Sequence, residues 1–145
     1  MISQSSEYAL RAVVWLAGHP EDTLSTPEIA RRTKVPGGYL SKVLQALGRA
    51  GLVTSTPGRI GGFILSRPPS RISVLDVINA VGKLPRIERC PLGMETHRQH
   101  LCPLHKRLDD VAELAERRFA ETMISDLVNE ARDALPLCQT ILCTR

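Results

Sequence analysis

Between Ser25 and Leu65 the chain reads STPEIARRTKVPGGYLSKVLQALGRAGLVTSTPGRIGGFIL, and the punctuation of that stretch leaves few ways to fold it. Ser25, with Glu28 three residues on, marks a helix start at which hydroxyl and carboxylate satisfy each other's orphan backbone donors, and Pro27 is tolerated in the first turn. Within this short helix Ile29 and Ala30 face inward, and Arg31, Arg32 and Lys34 do not. Val35-Pro36-Gly37-Gly38 breaks it, because the residue before a proline avoids the helical region and two glycines follow. A second helix restarts at about Tyr39, with Leu40, Val43, Leu44 and Leu47 at the i, i+3, i+4, i+7 spacing of a buried stripe. Its other face carries Ser41, Lys42, Gln45 and Arg49. Gly51 is a natural stop, after which the runs LVTS and FILS flank Thr56-Pro57-Gly58-Arg59-Ile60-Gly61-Gly62, predicting two strands around a glycine-rich turn. The expected fold is mainly α with a small β wing: a winged helix-turn-helix.

Charge turns this fold reading toward a partner. Between Ile29 and Leu75 stand eight Lys/Arg (Arg31, Arg32, Lys34, Lys42, Arg49, Arg59, Arg67, Arg71) and no Asp or Glu. A surface that only has to be soluble mixes its signs, whereas one that sits on phosphates is uniformly basic. Together with the helix pair and the wing, the acid gap predicts binding to double-stranded DNA. Tyr39, Ser41, Lys42 and Gln45 are the candidates for base edges and groove walls, and Arg31 and Arg32 extend the basic face. Gly37 and Gly38 offer bare backbone amides suited to phosphate. Arg59, at the wing tip, is placed for the minor groove or the backbone. An aromatic content of 3% argues against a base-stacking platform for single strands.

The rest of the chain supports this unit. Its 145 residues, 43% hydrophobic, are enough for one domain with a dimerisation arm. No run approaches the roughly twenty apolar residues of a membrane span, and the start lacks the pattern of a signal peptide, so a cytoplasmic protein without a membrane partner is expected. In that reducing compartment four cysteines point to metal or redox chemistry before structural disulfides. Ser3 to Ala17 predicts an opening helix with Ala9, Ala12, Val13, Leu16 and Ala17 on one face, where Glu7 and Arg11 stand one turn apart as an ordinary ion pair. Ser73 with Asp76 caps a short helix through about Val81, ended by Gly82.

The domain organisation expected is a DNA-binding unit over residues 1–82, a cysteine/histidine loop over 83–102, a dimerisation helix region over 103–135 and a flexible tail over 136–145 with Cys138 and Cys143. The loop holds Cys90, Met94, His97 and His100 and closes on Cys102-Pro103-Leu104-His105. Its length marks it as functional or disordered. From Pro103 the pattern is one long helix with Leu104, Leu108, Val111 and Ala115 in 4-3-4 steps, flanked by Leu114 and continued by Phe119, Met123 and Leu127. Such a stripe asks for a partner helix, and a second copy would present reading helices to half-sites about 34 Å apart.

In its order of pieces the chain resembles the Rrf-type bacterial regulators, the group containing the iron-sulfur cluster regulator and the nitric-oxide-sensing repressor. SSEYALRAVVWLA, IARRTKVPGGYLSKVLQALGRAGLV, PGRIGGFIL, ISVLDVINAV and CPLH carry the resemblance, over roughly residues 1 to 130. It implies a homodimeric winged-helix transcription factor, with a repressor's role foremost. It also implies, for many members, a [2Fe-2S] or [4Fe-4S] cluster near the start of the long helix, whose loss, oxidation or nitrosylation changes DNA affinity. Cluster-binding members have three evenly spaced cysteines; this chain has Cys90 and Cys102, with Thr96 midway. His105 stands where a family histidine ligand stands, and Glu7 where relatives use a carboxylate from the partner subunit, so the resemblance implies Cys90, Cys102, His105 and Glu7 around a [2Fe-2S] cluster. His97 and His100 are spare candidates. Zinc, a thiol switch or a small-molecule effector are the alternatives. A metal-dependent enzyme built on His97, His100, Cys102 and His105 is the remote one, lacking paired carboxylates or a nucleophile beside a base.

Overall fold

In the computed structural model, which describes residues 2–93 and 100–129, the first unit is α1 (Gln4–Ala17), α2 (Thr26–Thr33), α3 (Gly37–Arg49), β1 (Val53–Thr56), β2 (Gly62–Leu65) and α4 (Val74–Val81). Ser3 opens α1 by accepting the Ser6 N–H at 3.0 Å. The face expected to be buried is buried: Ala9, Ala12 and Val13 are inaccessible, and Leu16 and Ala17 nearly so. Around α1 the core collects Ile29 of α2, Leu40, Val43, Leu44 and Leu47 of α3, and Val77 and Ile78 of α4.

The turn between α2 and α3 differs in detail from its sequence reading. The break falls at Lys34, which closes α2 in the left-handed region at φ 56°, followed by the buried Val35. Pro36, its φ pinned near the helical value, then starts α3, and its carbonyl accepts the Tyr39 and Leu40 N–H groups. Gly37 and Gly38 therefore lie inside the first turn of α3, two residues before the expected start. At the other end the Leu52 N–H donates to Leu47 O and the Gly51 N–H to Gly48 O, with Gly51 at φ 69°. This double closure satisfies the last carbonyls and turns the chain into the wing.

β1 and β2 pair antiparallel with Val53 opposite Leu65 and Thr56 opposite Gly62. Leu24, just ahead of α2, exchanges two backbone hydrogen bonds with Phe63 at 2.8 and 3.1 Å, so the wing is sewn to the body. After the wing, Ser73 and Asp76 form a reciprocal capping box at the start of α4.

The long helix is a correction. α5 runs Pro103–Glu121 and stops; Thr122 turns to extended backbone at ψ 116°, and α6 (Ile124–Asn129) is a separate short helix. Val74 N–H donates to Thr122 O and Ile124 N–H to Ile72 O, both at 2.9 Å, and Ile124 is wholly buried. Ending the helix recovers these hydrogen bonds and an apolar side chain's burial. Phe119 and Leu127, read as a continuation of the stripe, pack against the body instead. No residue of α5 is buried, and Leu104, Leu108, Val111 and Leu114 remain about half exposed or more. Residues 130–135 of the proposed arm, and Cys138 and Cys143, lie outside the described residues.

Candidate metal centre and nucleic-acid interface

Two faces of the molecule carry chemistry. On the first, Cys102 caps the N-terminus of α5 with Pro103 at the first helical position, and His105 follows at i+3, on the same side of the helix. Cys90 arrives from the strap that leaves α4. The strap is fastened by Leu84, which is buried in the core, and by the Ile87 N–H, which donates to Asp109 Oδ1 at 2.9 Å. His105 Nδ1 lies 3.1 Å from Cys102 Sγ and 3.6 Å from Cys90 Sγ, and the three donor atoms all lie within 4.8 Å of one another. Cys90 is 8% exposed, and neither thiol is in a disulfide.

This donor set suits a borderline or soft metal. Sulfur and nitrogen bound tetrahedrally to one ion, at about 2.3 and 2.0–2.1 Å, stand roughly 3.6 Å apart, which matches the Cys90–His105 separation, while Cys102 at 3.1 Å lies closer to His105 than a shared ion would hold it. Two thiolates and an imidazole are also acceptable ligands of an iron-sulfur cluster, which needs a fourth from elsewhere. Glu7 does not supply it within this chain: its carboxylate pairs with Arg11 Nε at 2.6 Å, and Arg11 also donates to Thr33 O at the end of α2. His100 is described and lies outside the group; His97 and Thr96 lie outside the described residues.

Sequence reasoning missed what stands beside the site. The Arg86 guanidinium grips Asp109 through two bonds of 2.8 Å and reaches Glu116 at 2.7 Å and Glu113 at 3.5 Å. This fork, with the Ile87 N–H, holds the Asp109 carboxyl well below the usual carboxylate range, and Asp109 and Glu116 raise Arg86. A legible signal existed: Asp109, Glu113 and Glu116 recur at i, i+4, i+7.

The second face is the outer side of α3 and the wing. Tyr39, Lys42, Gln45 and Arg49 are exposed along α3, and Gly37 and Gly38 present open backbone in its first turn. Tyr39 is 54% exposed, its ring held edge-on to Tyr8 at 6.1 Å. Ser41 is exposed, but its hydroxyl donates to Gly37 O at 3.1 Å. Arg31 is exposed, whereas Arg32 is half-buried, with its guanidinium carbon 5.9 Å from the Trp15 ring centroid, so it leans on the body rather than reaching freely outward. Arg59 is exposed at the wing tip beside Ile60. Between α3 and β1 runs an open groove of about 670 Å³, lined among others by Gln45, Arg49, Ser55 and Ser66. No carboxylate lines it. These hydroxyls were not singled out from sequence, because only the antiparallel register places them opposite α3.

Comparison with known proteins places the chain. The family model described as an iron-dependent transcriptional regulator, Rrf2, matches residues 2–130. A protein of Aquifex aeolicus (strain VF5), named as an HTH-type transcriptional regulator, is 30% identical over 132 residues, covering 89% of this chain and 92% of that protein. Among solved structures, T. potens IscR aligns with a TM-score of 0.75 at 26% identity, over 97% of this chain and 93% of the other. CymR (YrzC), the global cysteine regulator of B. subtilis, shares the fold with a TM-score of 0.74 at 24% identity, over 90% and 97%.

Proposed function

This chain belongs to the Rrf2 family of transcriptional regulators, which are not enzymes, and from that premise we propose that it is a dimeric, sequence-specific DNA-binding repressor. The observation that carries the DNA reading is the exposed outer face of α3 with the wing beside it, inside a stretch of sequence that has no acid from Ile29 to Leu75. Lys42 and Arg59 meet phosphate or groove edges, Tyr39 and Gln45 face base edges, and the amides of Gly37 and Gly38 meet a phosphate at the start of α3. Gel-shift titrations across salt test this. Lys42→Ala and Arg59→Ala weaken binding and each flattens the salt slope by about one unit; unchanged affinity and slope in both would mean the wrong face.

The dimer is supported by the exposed Leu104, Leu108, Val111 and Leu114, a stripe of α5 that its own chain leaves uncovered. A second copy of α5 is the partner that would cover them.

Control of this DNA binding is assigned to Cys90, Cys102 and His105. They would hold a metal, in the first reading the iron of a [2Fe-2S] cluster, with Glu7 of the partner subunit supplying the fourth ligand after release from Arg11. A bound cluster supplies a redox- and nitric-oxide-sensitive link. Cys90 then ties the strap to the start of α5, and Glu7 ties the other protomer's α1 to the same point, fixing the separation of the two reading heads. Loss of the tie costs a coupling free energy of about 1 to 3 kcal/mol in DNA affinity. The mutual closeness of the three donors also favours a second reading, a single zinc ion with a thiol pair behind it. Anaerobic purification of wild type and Cys102→Ala, with a visible spectrum and iron, sulfide and zinc analysis, separates them. Brown protein with iron and sulfide, bleached by the substitution, supports the cluster; colourless protein with zinc supports the single ion; colourless protein without metal defeats both. The protein is expected to work in the cytoplasm, and among the described residues no helix is long and apolar enough to cross a membrane.

A further inference from the structure

α5 buries no residue against its own chain, yet its first half is fixed firmly enough to present Cys102 and His105 to Cys90. The fastening is chiefly ionic and centres on one side chain. Asp109, Glu113 and Glu116 share the face of α5 roughly opposite Leu104, Leu108 and Val111, since these positions recur at the helical period. Arg86, on the strap, meets that face with two bonds to Asp109 and one to Glu116, while the neighbouring Ile87 N–H adds a backbone bond to Asp109. An isolated surface ion pair contributes little, but a bidentate fork combined with further bonds fixes geometry. Asp109 is only 14% exposed, so water competes weakly for it. The placement matters most: Arg86 stands four residues before Cys90, and Asp109 one turn after His105.

We propose that Arg86 is the positioning residue of the metal centre: by clasping Asp109 and Glu116 it lays the strap along α5, holds Cys90 over Cys102 and His105, and thereby sets how tightly the site takes a divalent metal. The inference rests on the Cys90/Cys102/His105 reading. Without the clasp, Cys90 reaches the site from a segment held by Leu84 and the single Ile87 N–H bond to Asp109, and metal binding must order that segment. Three carboxylates on one face of α5 would also repel each other more strongly, with Lys106 left as a weaker counter-charge to Asp109 and Glu113. The fork is the essential feature, because a lysine offers a point charge that cannot hold both oxygens of Asp109 in plane.

The test is Co²⁺ titration of the reduced, metal-free full-length protein, followed by its sulfur-to-metal charge-transfer and d–d absorption, with Zn²⁺ affinity from competition against a chelator. Wild type shows a tetrahedral, thiolate-ligated spectrum. Arg86→Ala and Asp109→Asn bind 10- to 100-fold more weakly, the range typical for losing a partner that orients ligands, with a weaker charge-transfer band per ion. Arg86→Lys falls between, and the Arg86→Ala/Asp109→Asn double variant is no worse than the worse single one. Arg118→Ala, which breaks an exposed pair with Glu121 at the far end of α5, leaves affinity unchanged. If Arg86→Ala fails to fold by circular dichroism, Arg86→Lys and Asp109→Asn still decide. Variants matching wild type in affinity and spectrum overturn the clasp alone. A wild type that takes up no Co²⁺ overturns the metal-centre reading beneath it.

Discussion

Single residues whose role is local are the ones a linear sequence displays most openly. Ser25 and Ser73 were legible as helix caps because a cap needs only neighbours a few residues away, and each accepts the backbone N–H expected of it. Gly51 was legible for the same reason. Replacing it by alanine keeps open space around the new methyl but forces φ 69° on an L side chain, so about 1 to 2 kcal/mol of stability is lost, readable by urea unfolding. Gly61 is different. A Cβ there would clash with Thr56 O, a contact that only the folded hairpin creates. Gly61→Ala therefore disturbs the wing tip that carries Arg59. DNA affinity drops at least about tenfold while helical circular dichroism stays at the wild-type level, a separation expected if the wing makes contacts the helices do not.

At the scale of elements, periodicity served well where one face had one destination. The stripe Leu40, Val43, Leu44 and Leu47 is buried as read, and α1 buries its alanine-rich face. It misled at α5, where residues from Leu104 to Leu127 fit one helical pattern but serve two surfaces. Up to Leu114 the apolar positions point away from the body; from Phe119 they turn back to it. Nothing in the spacing marks the break at Thr122, because its cause is the pair of backbone bonds waiting at Ile72 and Val74. Ile124 is the anchor of that return. Ile124→Ala is expected to cost about 2 to 5 kcal/mol, seen as a lower urea midpoint, and to loosen amide protection in α6 before that in α3. Uniform loss of protection across both helices would instead show α6 to be part of one cooperative unit.

For the whole molecule, the two faces point to separate tasks joined by α5, which starts at the cysteines and ends with Phe119 packed against the core of the DNA-binding unit. The exposed stripe gives a direct check on assembly. Leu108→Glu, placing a charge amid Leu104 and Val111, should shift sedimentation from dimer to monomer with helical content retained, and weaken binding to a two-half-site operator far more than to a half-site. A variant that still sediments as a dimer would place the interface elsewhere.

Sequence alone determined the class of fold, the basic face and the family, because caps, short periodic helices, turn glycines and a missing charge sign are local or compositional properties. It also named Cys90, Cys102 and His105, through the family resemblance. Tertiary structure decided what depends on meeting across distance. It brought Cys90 to within 3.6 Å of His105, ended α5 at Glu121 and set Arg86 across three carboxylates. The reason is physical: an ion pair or a ligand set between residues 15 to 30 positions apart is chosen by how the intervening elements pack, and no period or spacing along the chain encodes that choice.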